Sequence, residues 1–167
     1  VRLARDIPAA DLSKTQLSDA IESVFAVIEL HNFIIRRGEP SAAELIANNA
    51  IHAGFVYATD PSSTLHSDPK TLRIELDDVE VATVCGTKLT CTILESLNWL
   101  ADELTRHRKE LRAGQTILCG SIADLIPVSD DCRIAVVTDQ FGSVNCTIQQ
   151  TDENSGASGR PRNGRSS

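Results

Sequence analysis

At 167 residues the chain is long enough for one domain with a real core. Its formal net charge of -7 argues against general nucleic-acid binding, which relies on clustered Lys and Arg. No apolar run is long enough to cross a bilayer and no charged-then-apolar signal pattern stands at the start, so a cytoplasmic protein is expected. The chain starts at Val1 rather than Met, and an N-terminal portion is expected to precede it.

In chain order, the first strong signal is Phe25 to Ile35, FAVIELHNFII, which is predicted as a strand. A period of two puts Val27, Glu29, His31 and Phe33 on one face, which is half-exposed on the simplest reading. The other reading is that Glu29 faces something that wants a carboxylate, because a buried, unpartnered carboxylate is costly. Ser41 to His52 is predicted as a helix, capped by Ser41 with Glu44 as its capping-box partner, and AGFVYA after it as a strand. Asp60 to Pro69, rich in Ser, Pro and Asp, is predicted as a surface loop.

LRIELDDVEVATV alternates apolar and polar residues on both sides of Asp77-Asp78, the pattern of a hairpin. Thr92 to Arg106 is predicted as a helix with Ile93, Leu94, Leu97, Leu100, Ala101 and Leu104 on one face and a Thr92/Glu95 capping box. QTILCGS, CRIAVVT and SVNCTIQ are predicted as three short strands. From Thr151 onward no apolar residue exceeds alanine, so residues 1–149 are assigned to the domain and 150–167 to a disordered tail. The fold class is α+β with a mainly antiparallel or mixed sheet.

The five cysteines, Cys85, Cys91, Cys119, Cys132 and Cys146, form no C-x-x-C pair, and the four histidines are scattered. A zinc site needs both types clustered at short spacing, so reduced thiols in a packed interior are expected instead.

Leu111 to Val128, LRAGQTILCGSIADLIPV, resembles the C-terminal signature of the 2-keto-4-pentenoate hydratase group of the fumarylacetoacetate hydrolase superfamily. VRLARDIP, AVIELHNF, ELIANNAIHAGFVY, LNWLADEL and FGSVNCTI resemble further blocks of that group in the same order, from Val1 to about Ile148. The resemblance implies a mixed β-roll with flanking helices, here N-terminally truncated, and a divalent cation, magnesium or manganese, held by three carboxylates. Hard cations favour such oxygen ligands. Glu29 matches the third carboxylate, while the Glu-x-Glu motif that supplies the other two would precede Val1. Gly120 and Ser121 match the loop near the substrate carboxylate.

The implied activity is that of a lyase adding water to a 2-hydroxy-2,4-dienoate through a metal-stabilised enolate. The neighbouring class, decarboxylases of 2-oxo-dienedioates, shares the fold. The implied partners are a small 2-oxo acid and further copies of the chain, or an active paralogous subunit, with no nucleic acid or membrane.

Several positions depart from the group. Asn32, Asn48, Ile51, Cys119 and the Cys91-Thr92-Ile93 turn replace acids, hydroxyls or turn residues, whereas scaffold positions such as Trp99, Leu100, Ala101 and Gly114 are kept. A non-catalytic homologue acting as partner subunit or scaffold is the second reading. Lys88, in a predicted loop after Gly86, and His31, on the strand face of Glu29, are lesser candidates for an anion contact and a proton shuttle.

Overall fold

The computed structural model describes residues 1–7, 12–32, 34–35, 38–58, 65, 71–86, 88–121, 123–128 and 131–149. Phe33, nearly all of the predicted loop at 60–69 and the predicted tail lie outside them. The elements run β1 (Arg2–Leu3), α1 (Lys14–Ser18), β2 (Ile21–Ser23), β3 (Val27–His31), α2 (Ala42–Ala47), a 3-10 turn (Asn49–Ile51), β4 (His52–Tyr57), β5 (Thr71–Leu76), β6 (Val79–Cys85), α3 (Lys88–Arg106), β7 (Cys132–Thr138) and β8 (Ser143–Ile148). Among the described residues three antiparallel sheets result: β1-β2, β3-β4 and a four-stranded sheet in the order β6-β5-β7-β8. This is a mixed α/β fold with few helices.

The β5-β6 hairpin turns at Asp77-Asp78, as predicted. Both residues have positive φ, 48° and 64°, the backbone that a two-residue hairpin turn demands and that Asp tolerates. Arg133 of β7 supports the turn: its N–H donates to Asp77 Oδ1 and its guanidinium to Asp78 Oδ1, each at 2.9 Å.

Helix α3 packs its apolar stripe inward, with Leu94, Leu97 and Ala101 buried. It begins one turn before the predicted Thr92, because Leu89, almost fully buried, extends the i, i+4 stripe to Ile93 and Leu97. The Thr92/Glu95 pair therefore lies inside the helix rather than capping it. Lys88 opens the helix instead of sitting in a loop. Trp99, read as a scaffold residue, faces outward at 66% exposure.

The helix predicted over Ser41 to His52 is also corrected. Its capping box forms, with Glu44 N donating to Ser41 Oγ at 3.3 Å and Ser41 N to Glu44 Oε2 at 2.9 Å. The Ser41 hydroxyl, donating to Glu44 Oε2 at 2.7 Å, followed by the Ser41 N–H, holds the Glu44 carboxyl below the usual carboxylate range. The helix nevertheless ends at Ala47, and Asn49, Ala50 and Ile51 follow with positive φ. Nothing on α2 is buried, so packing does not extend it; the left-handed turn carries buried Ile51 inward and delivers His52 into β4.

Of the three strands predicted after α3, CRIAVVT and SVNCTIQ are β7 and β8. QTILCGS is not a regular strand. It meets the chain start through the bridge Arg2 to Thr116 and the bonds Leu3 N to Gln115 O and Ile117 N to Val1 O, and so short a partner as β1 sustains no ladder.

Two cores result. The first gathers Leu3, Ile7, Leu17, Leu97 and Leu111 between the N-terminal segment, α1 and α3. The second lies under the larger sheet and β3, around Ile28, Ile134, Val136 and Val144. The five cysteines are free, but none is fully buried and Cys85 is exposed, contrary to the packed interior expected for them.

Candidate functional site

The turn Leu111 to Gly114 is clasped to the chain start. Ala113 N donates to Asp6 Oδ1 at 2.7 Å, Arg112 pairs with Asp6 Oδ2 at 2.9 Å, and Gly114 N donates to Leu3 O at 2.8 Å. The Ala113 N–H, followed by Arg112, holds the Asp6 carboxyl below its usual range. Gly114 has φ +80°, a conformation that costs glycine little and other residues more. Beyond the clasp, Ile117 N donates to Val1 O at 2.8 Å, and Ser96 of α3 donates to Cys119 O at 3.0 Å. These bonds fix where the Cys119-Gly120-Ser121 loop leaves the first core.

The loop forms one wall of a cleft of about 790 Å³. Strand β3 contributes Glu29, His31 and the adjoining Asn32; α3 contributes Thr92 and Ile93; the inner faces of β5, β7 and β8 supply an apolar floor. The predicted site residues Glu29, Gly120 and Ser121, distant in sequence, thus share one cavity.

Glu29 sits opposite Phe55 in the β3-β4 register, with its side chain 32% exposed. Its Oε1 lies 2.8 Å from His52 Nδ1 and 3.6 Å from His31 Nε2, so the carboxylate is flanked by two imidazoles. A register shift between Leu30 and His31 accompanies this arrangement, His31 pairing with His52. Asn32 N donates to Ile51 O at 2.9 Å, which ties the rim of the cleft to the left-handed turn.

His52, which does not line the cleft but contacts Glu29, is a residue that sequence reasoning missed. Nothing in the local pattern marks it; only the β3-β4 register brings it to Glu29. Asp124, on the cleft wall, was missed as well.

Ser121 Oγ donates to Ala123 O, so the single hydroxyl proton serves its own turn. Gly120 has φ +91°, and a Cβ there would meet Ser96 Oγ at 3.9 Å, an ordinary contact; the glycine is set by backbone conformation rather than space. Burial pushes the Cys119 thiol up, which leaves it protonated at neutral pH and a poor nucleophile.

A magnesium or manganese site takes about six oxygen ligands in near-octahedral array. Among the described residues no group of three or more His, Cys, Asp or Glu side chains could hold a metal ion. Glu29 offers one carboxylate, and His52 already engages one of its oxygens. The described residues therefore do not fit such a cation by themselves.

No family model matches the chain. Among curated proteins it is similar to the TodF product hydratase of Pseudomonas putida, 27% identical over 139 residues that make up 80% of this chain and 52% of that protein. It is 29% identical to the 2-keto-4-pentenoate hydratase of Burkholderia vietnamiensis, across 89% of this chain and 57% of that one. To the 2-hydroxyhexa-2,4-dienoate hydratase of Comamonas testosteroni it is 26% identical, across 90% and 57%. The chain spans about half the length of the curated relatives it matches.

Among solved structures it resembles the 4-oxalocrotonate decarboxylase from Pseudomonas putida G7 complexed with magnesium and adipate. The TM-score is 0.76 at 21% identity, covering 87% of this chain and 56% of that chain. The calcium and acetate complex of the same enzyme gives a TM-score of 0.70 at 21% identity, covering 86% and 55%. The chain shares the fold of these structures, and the resemblance to the hydratase group read from its sequence is matched by curated relatives of that name.

Proposed function

We propose that this chain carries the substrate cleft of a 2-oxo-acid hydratase-like lyase, acting on a 2-hydroxy-2,4-dienoate. One observation supports the reading above the others: Glu29 from β3 and Gly120-Ser121 from the loop after α3 line the same cleft. Similar curated proteins are named 2-keto-4-pentenoate hydratase and 2-hydroxyhexa-2,4-dienoate hydratase.

The reaction needs proton movement and a place for water. The enol oxygen at C2 loses its proton while C5 gains one, giving a 2-oxo-3-enoate. Water then adds its oxygen to C4 and a proton to C3, leaving a 4-hydroxy-2-oxo acid. Glu29, flanked by His31 and His52, provides a carboxylate–imidazole cluster at the cleft wall to accept and return those protons. The Gly120-Ser121 loop orients the substrate carboxylate through its backbone, since the Ser121 hydroxyl is committed to Ala123. The resemblance would also make Glu29 a ligand of a divalent cation, to which the described residues would add no further carboxylate cluster, so no proton step is routed through a metal.

A second reading, a non-catalytic partner subunit or scaffold, draws on the absence of a metal-holding cluster among the described residues and on the apolar Ile51 and Ile93 in the cleft lining.

The test follows dienol absorbance of 2-hydroxypenta-2,4-dienoate with magnesium or manganese, beside melting curves with and without manganese. The proposal expects turnover that Glu29→Gln abolishes, together with a manganese-dependent rise in Tm. Absence of both overturns it in favour of the partner reading.

A further inference from the structure

We infer that the groove at the C-terminal end of α3 is an anion site that takes a small organic phosphate. The hydratase reading does not require it, and among the described residues its lining shares only Ile117 with the cleft.

Helix α3 closes with two backbone bonds, Lys109 N donating to Leu104 O at 2.8 Å and Arg108 N to Thr105 O at 3.0 Å. A stop of this kind favours glycine at its left-handed position and an apolar residue at the next. This chain places Arg108 at the first, with φ 56°, and Lys109 at the second. Neither cation is needed to end the helix. The backbone N–H groups already satisfy those carbonyls, and Arg106 in the last turn complements the macrodipole. A long side chain at positive φ is strained, so the local fold disfavours Arg108. What Arg108 and Lys109 have in common is the groove that both line.

That groove holds about 690 Å³, within the range of small-molecule pockets and more than an inorganic ion fills. Among the described residues neither cationic side chain has a hydrogen-bond or ion-pair partner. On the same wall Arg112 is paired with Glu110 and with Asp6. Gln115 accepts from Arg112 N through Oε1 at 2.8 Å, which leaves its NH2 group to donate. The groove thus offers donors from a guanidinium, an ammonium and an amide. A phosphate monoester carries close to two negative charges and three terminal oxygens at neutral pH, one for each of these groups. A monocarboxylate satisfies the guanidinium fork alone. Leu104 and Ile117, both partly buried, give an organic substituent an apolar surface. The chain's net charge of -7 repels anions at long range, so the attraction is local and short-ranged.

The test is an amide chemical-shift titration of the full chain with phenyl phosphate. Benzoate, the same ring on a single charge, and inorganic phosphate are the references. The inference expects saturable shifts at Thr105, Arg108, Lys109 and Gln115, with Glu29 and Gly120 unmoved. Phenyl phosphate should bind at least about tenfold tighter than benzoate, and tighter than inorganic phosphate. Arg108→Gly is expected to weaken it about tenfold while Tm holds or rises, because glycine fits the left-handed position. Lys109→Gln, which leaves the backbone untouched, is expected to weaken it by about the same factor. The inference is overturned by no saturation at millimolar phenyl phosphate, or by binding no tighter than that of either reference. Unchanged affinity in either variant, or shifts confined to the cleft, overturns it as well.

Discussion

The two cores of this molecule are built from similar side chains and closed in different ways. In the first, Leu3, Ile7, Leu17, Leu97 and Leu111 are each at most 2% exposed, sealed by the clasp between the chain start and the Leu111–Gly114 turn. In the second, Ile134 and Val136 are buried yet also floor the cleft, and Leu72, Ile74 and Leu76 on the neighbouring strand are only partly covered. The five of the first core line no part of the cleft, although Val1, Val24 and Phe141 at the edge of the same core do. The second leaves part of its surface open to the cleft, beside which Glu29 and His31 stand.

The sharpest way to break this contrast is to cut a large side chain from each core. Leu97→Ala is expected to lower unfolding free energy by about 3 kcal/mol, because a sealed site collapses poorly around a cavity. Ile74→Ala is expected to cost nearer 1 kcal/mol, since water from the cleft reaches the space. Urea denaturation of the two variants measures both, and equal losses would erase the distinction.

The next contrast sets function against stability. Glu29→Gln keeps an acceptor for His52 Nδ1 and is expected to leave Tm within a few degrees of wild type. Dienol turnover should fall by about 10²-fold or more, the usual cost of losing a proton-transfer group. A large drop in Tm with activity retained would make Glu29 a structural residue of β3.

Much of this arrangement was legible in the sequence, and the failures share a cause. The Asp77-Asp78 hairpin, the Ser41 cap and the stripe of α3 are local signals, and they hold because their hydrogen bonds and spacing are local. The misplaced parts depend on remote partners. QTILCGS has strand composition but meets only two residues of β1. The Ser41 helix is cut short where Ile51 must reach the core. Glu29 stands out in the sequence as an acid in an apolar run, but its partner His52, 23 positions away, is set by strand register, which one sequence does not reveal. In the same way, the cleft emerges only when β3, the Gly120 loop and the large sheet come together.

Acid titration separates the regions more gently. The clasp is present while Asp6 is ionised, and its carboxyl titrates below the ordinary range in the folded chain. Its contribution is complete above the unfolded carboxylate value of about 4 and fades as pH falls through the lower folded value. Stability of Asp6→Asn should therefore depend less on pH in that acid window than wild type does, as followed by Tm against pH. Identical slopes would remove Asp6 from the clasp.

The smallest effect belongs to Ser121→Ala. Its hydroxyl serves its own turn, so the loss should be about 1 kcal/mol or less, with turnover changed by no more than a few-fold. A hundredfold loss would place that hydroxyl on the substrate instead.

The most direct measurement is an amide chemical-shift titration of the full chain with 2-oxohexanoate. The account predicts saturable shifts at Glu29, His31, Gly120 and Ser121 and along Ile74 and Ile134, with the clasp at Leu3, Asp6 and Ala113 unmoved. Shifts confined to the clasp, or none at millimolar ligand, would contradict it.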